Sequence, residues 1–143
     1  MTLARQVVLG SLVLLVCAAV HIAVLVVTVH TLEWVVDLLS AAGSMLRLAS
    51  LITLGFLGVL LGHSLQIWIW AFAFRARGAI ADLEDAIYFA LVTTSTLGYG
   101  DITLAKGHRL FGAIASVSGL LTFGLSTAFL IEILTSVGKP PPG

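Results

Sequence analysis

Charge is what this sequence has least of. Only 10% of its 143 residues are Asp, Glu, Lys or Arg and 59% are hydrophobic, whereas charged residues make up about a quarter of a typical water-soluble domain. The mean hydropathy of +1.14 places the chain in a bilayer. Seven basic and seven acidic side chains cancel, so no electrostatic footprint for a nucleic acid is present. Cysteine is reduced to Cys17, inside an apolar run. It can form no intrachain disulfide, has no metal-ligating company, and reads as a buried thiol. Proline occurs only as Pro140, Pro141 and Pro142, a tail that ends any helix. Neither a Ser/His/Asp set, nor a metal-ligand cluster, nor a phosphate loop occupies a plausible site, so no enzyme and no cofactor is expected.

Three apolar stretches are each long enough to cross a hydrocarbon core, which takes about 20 residues. They predict a leading helix at 7–30, an outer helix at 48–75 and an inner helix at 109–135, within a single membrane domain spanning 1–143. The leading run exceeds the roughly 7–15 apolar residues of a secretory signal and is read as retained. Segment 31–47 carries Glu33, Asp37 and Arg47 but sets Leu32, Val35, Val36 and Leu39 on one face, as an interfacial helix or linker would. Gly43 and Ser44 then offer a break. Residues 136–143 are the tail.

Several polar residues lie within these spans. His21, His63 and Gln66 are costly at such depth. Two readings stand for them: hydrogen bonds from helix to helix, or a proton-sensing pair. Trp68 and Trp70, followed by Arg75 and Arg77, suit an interfacial anchor. His108 is a further pH-sensing candidate.

Between the outer and inner spans, 82–95 predicts a helix too short to cross. Asp82 caps its start, Glu84 and Asp85 occupy its first turn, and Ile87, Tyr88, Leu91 and Val92 continue it. A polar run follows, Thr93-Thr94-Ser95-Thr96-Leu97-Gly98-Tyr99-Gly100-Asp101. Its last six residues, 96–101, have the form T-x-G-Y-G-D and resemble the signature of the potassium-channel pore-loop superfamily. They stand after a helix and between two spans, which is the context that motif requires.

The resemblance implies an all-α membrane protein of three transmembrane helices plus a re-entrant pore helix and a selectivity-filter loop, assembled as a homotetramer. It implies passive K⁺ conduction, with no organic cofactor, and three further copies of the chain and membrane lipid as partners. Main-chain carbonyls of Thr96, Leu97, Gly98 and Tyr99, with the Thr96 hydroxyl, would replace the water that K⁺ sheds. Thr93, Thr94, Ser95, Gly100 and Asp101 would support them. Tyr88 and Phe89 match aromatic positions of the family, or are ordinary packing. Asp82, Glu84 and Asp85 form an acidic rim. The likeness runs from about Asp82 to Leu134 and makes Gly119 a hinge candidate, with Thr127 and Ile131 near an intracellular narrowing. For Gly119 close helix packing is the alternative. Glu132 either rings the inner vestibule with charge or marks the headgroup boundary.

Some positions depart from the family pattern. Leu97 stands where a β-branched residue is usual, which loosens the restraint on the filter backbone. Val92 replaces a carboxylate found in some members, so Asp101 needs another partner, and Leu104 replaces a proline. Regularly spaced arginines are lacking, so voltage sensing is not expected. A pore loop entering from outside puts the C-terminus in the cytoplasm of a plasma-membrane protein and, with three spans, the N-terminus outside. Arg5, Arg75, Arg77, Lys106 and Arg109 then lie outside and only Arg47 and Lys139 inside, against the positive-inside tendency. A weakly selective cation channel and a non-conducting accessory or transport subunit are the competing readings.

Overall fold

The structure, a computed structural model, describes residues 1–40 and 43–137. Residues 41–42 of the expected linker and 138–143 of the expected tail lie outside the described residues. The described residues form helices and no strand: α1 (Leu3–Leu38), α2 (Ser44–Ala76), α3 (Leu83–Thr94) and α4 (Arg109–Val137), the last preceded by a single 3-10 turn at Lys106–His108. Three of them, α1, α2 and α4, are long and apolar enough to cross a membrane. Their sequences contain no proline. In a bilayer every main-chain N–H must find its acceptor within its own helix, and proline-free apolar runs allow that.

The 36 residues of α1 make a rod about 54 Å long at 1.5 Å per residue, against about 30 Å of hydrocarbon. The helix therefore continues where the sequence placed a boundary at residue 30, carrying Glu33 and Asp37 in its final turns. Charges on turns beyond the hydrocarbon cost little, and no breaker stands before Leu39. Residues up to Leu38 of the presumed linker thus belong to α1, and those from Ser44 belong to α2. At its far end α2 closes through Gly78, whose φ of +66° lets its N–H reach Arg75 O (2.9 Å) while Ala79 N–H reaches Phe74 O (2.9 Å). That double bond is a Schellman closure, and it turns the chain toward α3.

α1 packs along both α2 and α4, and α3 is wedged between α2 and α4. Where all four meet, Cys17, Trp70, Phe74, Ala86, Ala90, Phe111 and Ala115 form the main core. Phe74 meets Phe89 and Phe111 edge-on at ring separations of 5.0 and 5.5 Å, contacts worth about 0.5–1.5 kcal/mol each beyond burial. Trp70 is wholly buried among them. It is a core residue and not the interfacial anchor its type suggested, whereas Trp68 remains exposed and stacked on Phe72. Leu32, Leu51 and Ile133 make a second, smaller cluster. Gln6 Oε1 accepts the N–H of Leu110 (3.2 Å), so α1 and α4 begin at the same end of the molecule.

Candidate ion-conduction site

The helix α3 aims the signature loop. Asp82 Oδ1 accepts the N–H groups of Glu84 (2.8 Å) and Asp85 (3.2 Å), the N-cap expected from the sequence. Glu84 and Asp85 lie in the first turn, where the helix dipole favours negative charge. The opposite end of the dipole is negative and points at Ser95 and Thr96, where a cation is favoured. There the backbone folds back on the helix: Ser95 N–H donates to Leu91 O (3.0 Å), Thr96 N–H to Thr93 O (3.1 Å) and Gly98 N–H to Val92 O (3.2 Å). The hydroxyls of Thr94 and Ser95 also turn inward, to Ala90 O (2.8 Å) and Val92 O (3.3 Å). Thr93 lines a cleft between α3 and α4 with Phe89 and Leu104.

Beyond that closure the backbone alternates in hand. φ is +64° at Thr96, +55° at Gly98 and +80° at Gly100, with Leu97 and Tyr99 on the negative side. In an extended chain neighbouring carbonyls point opposite ways, and reversing the hand at every second residue brings them toward one side. Glycine takes up this conformation without a Cβ clash, and Thr96 holds it at a cost of about 1–2 kcal/mol. Leu97 is 58% and Tyr99 68% exposed.

Asp101 has the partner that Val92 does not supply. The Tyr88 hydroxyl donates to its Oδ2, while its Oδ1 accepts the N–H of Ile102 (3.0 Å). The phenol holds the Asp101 carboxyl below the usual carboxylate range, and the same bond pushes the Tyr88 phenol up. Across the loop, His108 Nε2 lies 3.2 Å from Arg77 O, linking the start of α4 to the end of α2.

Behind the loop, Gly119 of α4 touches the carbonyl of Thr94, so closely that a Cβ would overlap it. α4 passes through this point as one helix, in close contact with the end of α3. Thr127 and Ile131 lie on an exposed face of α4 shared with Leu120 and Gly124, about 12 and 18 Å along the helix from Gly119. The Thr127 hydroxyl bonds its own helix at Phe123 O (2.9 Å). The structure therefore gathers 93–101 and Gly119 at one place and sets Thr127 and Ile131 apart.

A buried polar ladder went unread in the sequence. Gln66 Nε2 donates to Ser118 Oγ (2.9 Å), Thr122 Oγ1 donates to Gln66 Oε1 (2.8 Å), and Ser126 Oγ lies within reach of His21 and His63. Ser118, Thr122 and Ser126 recur every four residues along α4 and are buried, and that spacing was the available signal. The helix-to-helix reading of His21, His63 and Gln66 is what the geometry displays.

Among the described residues no group of three His, Cys, Asp or Glu could hold a metal. The oxygens of residues 96–99 are main-chain carbonyls and the hydroxyls of Thr96 and Tyr99.

The sequence profile of a family described as "Ion channel" matches residues 12–136. The chain belongs to this ion-channel family, within the potassium-channel pore-loop superfamily, and is a multi-pass membrane channel protein rather than an enzyme. It is similar to potassium voltage-gated channel subfamily A member 5 of Mus musculus, with 32% identity over 90 residues covering 62% of this chain and 15% of that protein. Subfamily A member 6 of Rattus norvegicus shares 32% over 90 residues, 62% of this chain and 17% of the relative. Member 4 of Homo sapiens shares 32%, with 62% and 14% covered. The chain thus spans only about 15% of the length of these curated relatives. No solved structure matches it. The family match begins at residue 12 and so takes in the leading helix, beyond the stretch from Asp82 that carried the sequence resemblance.

Proposed function

We propose that four copies of this chain surround a potassium-selective pore and conduct K⁺ passively across the plasma membrane. The observation that carries the reading is the 96–101 signature at the negative end of α3, with positive φ at Thr96, Gly98 and Gly100. Four such loops about one axis stack rings of carbonyl oxygens from Thr96, Leu97, Gly98 and Tyr99, with the Thr96 hydroxyl innermost. Each ring stands in for part of the hydration shell of the ion. Exposure of Leu97 and Tyr99 on the single chain supports assembly, because neighbouring copies bury those side chains. α3 is then a re-entrant pore helix, tolerated at membrane depth because protein surrounds it. The loop opens outward, the end of α4 is cytoplasmic and the start of α1 is external. The exposed stripe of Leu120, Gly124, Thr127 and Ile131 faces the axis below the filter, with Thr127 and Ile131 at the narrowing.

Purified protein in liposomes tests this with no partner present. K⁺ efflux is expected to exceed Na⁺ efflux many-fold, and Gly98→Ala or Tyr99→Ala is expected to abolish the selective flux while the protein still inserts. Selective flux surviving both substitutions would remove the loop from the mechanism. Leu97 favours a second reading, a weakly selective cation pore of the same architecture, because its unbranched Cβ restrains the loop less. Comparable K⁺ and Na⁺ fluxes would establish that reading instead.

A further inference from the structure

Away from the loop, three helices converge on one hydroxyl. Ser126 Oγ of α4 lies 2.9 Å from His21 Nε2 of α1 and 3.1 Å from His63 Nε2 of α2. The two imidazole rings are 4.9 Å apart between centroids, and Phe123 stacks on His63 at 4.3 Å. His21 is fully buried, and its Nδ1 lies against Gly62 without a hydrogen bond of good geometry. A Cβ at Gly62 would stand 2.6 Å from that atom, so glycine is what lets the ring in.

A serine hydroxyl carries one hydrogen and two acceptor lone pairs. With both rings neutral, one Nε2 donates to Ser126 and the other accepts from it, so the serine hydroxyl and both Nε2 atoms are satisfied. A proton added to the accepting ring turns its Nε2 into a second donor to Ser126, whose two lone pairs can take both. The serine hydrogen must turn away, and an imidazolium is left among Phe123, Gly62, the uncharged Gln66 side chain and apolar groups. A second proton sets two like charges 4.9 Å apart, where low-dielectric surroundings magnify their repulsion. The titratable groups facing the pair are few among the described residues. On α1 there is Cys17, one turn before His21; on α2 only His63 itself; on α4 none, since Glu132 lies six residues past Ser126. α3 contributes none here, because Glu84, Asp85 and Tyr88 belong to its other contacts, at the loop end of the molecule. Thus no carboxylate is placed to neutralise the added charge.

We propose that His21, Ser126 and His63 form a proton-operated clasp. It holds α4 against α1 and α2 while both rings are neutral and loosens when the pair takes up a proton, because the serine hydrogen loses its acceptor and an uncompensated charge is buried where the three helices meet. The ladder of Ser118, Gln66 and Thr122 continues from the clasp toward Gly119, which touches Thr94 at the base of the loop. Acidification therefore alters pore opening, a consequence that rests on the conduction proposed above, whereas the clasp itself does not.

The experiment uses the whole protein, with ¹⁵N-labelled histidine, in lipid vesicles taken from about pH 8 to about pH 5, the range in which histidine changes charge. Imidazole signals are assigned with His21→Gln and His63→Gln. The clasp predicts that these two rings go from neutral to charged and that main-chain signals of α4 residues 122–130 move with the same midpoint. In Ser126→Ala the α4 signals are expected to lose that dependence. K⁺ flux through the wild type is expected to change about fivefold or more over the range, and to lose its pH dependence in His63→Gln. Rings that stay neutral down to pH 5, or that titrate while α4 is unmoved, would overturn the clasp. K⁺ flux that is present but indifferent to pH would sever it from the pore. Absence of flux at every pH would count against the conduction proposal alone, with the ring titration still deciding the clasp.

Discussion

Gly119 and Thr94 meet main chain to main chain, with no space for a methyl group between α4 and the last turn of α3. The contact fixes the base of the loop against the helix behind it. Gly119→Ala is expected to push the two apart at a cost of about 1–3 kcal/mol, typical of overpacking, and to lower K⁺ flux. Thermal unfolding in detergent and liposome efflux measure the two effects. A variant that melts and conducts like the wild type would argue that the helices separate here without consequence.

The Tyr88–Asp101 bond should tie the loop down over a defined pH window. Because the folded carboxyl titrates below its usual range, the contribution of Asp101 is complete above about pH 4 and fades as pH falls through the depressed value. Because the Tyr88 phenol is pushed up, its contribution is complete below about pH 10 and is lost as pH rises through the elevated value. Tyr88→Phe is expected to remove the alkaline dependence, to weaken the acid one that the Ile102 N–H still supports, and to speed hydrogen exchange at 97–102. Exchange rates there that match the wild type would show that the bond does not restrain the loop.

Leu97→Val restores a β-branched side chain at a position whose neighbours alternate in backbone hand. It is expected to raise the K⁺ over Na⁺ permeability ratio severalfold, corresponding to about 1 kcal/mol of stiffening. Reversal potentials in mixed K⁺ and Na⁺ solutions give the ratio directly, and an unchanged or lower ratio would exonerate Leu97.

Gln66→Leu removes the partner of two buried hydroxyls, Ser118 and Thr122. Thr122 has its own helix carbonyls within reach, at 3.1 and 3.0 Å, so the loss falls mainly on Ser118. About 1–3 kcal/mol of destabilisation is expected, read as a lower melting temperature. Adding Ser118→Ala should recover most of it, and a double variant no better than the single would contradict that assignment.

The spans were plain in the sequence because twenty or more apolar residues in a row have no other stable home. The Asp82 cap was equally legible, since its donors lie two and three residues away. Contacts between distant residues were harder to foresee. Tyr88 and Asp101 are 13 positions apart on no shared period, and Gly119 carries no side chain to announce what it touches. Trp70 was read from the usual preference of tryptophan for membrane interfaces, but the crossing of α2 with α4 buried it. Glu33 and Asp37 marked 31–47 as a poor spanning segment, and α1 runs on through both, because a helix already beyond the hydrocarbon has no reason to end at a charge. The loop's chemistry still rests on its six-residue signature and on the alternation of φ that accompanies it.

Gln6 completes the first turn of a helix that begins more than a hundred positions later, through the N–H of Leu110. The opening residues of the chain are therefore a fitting for α4 and not a free lead-in. A purification tag fused directly to that end, or trimming past Gln6, would leave the start of α4 with a frayed lip.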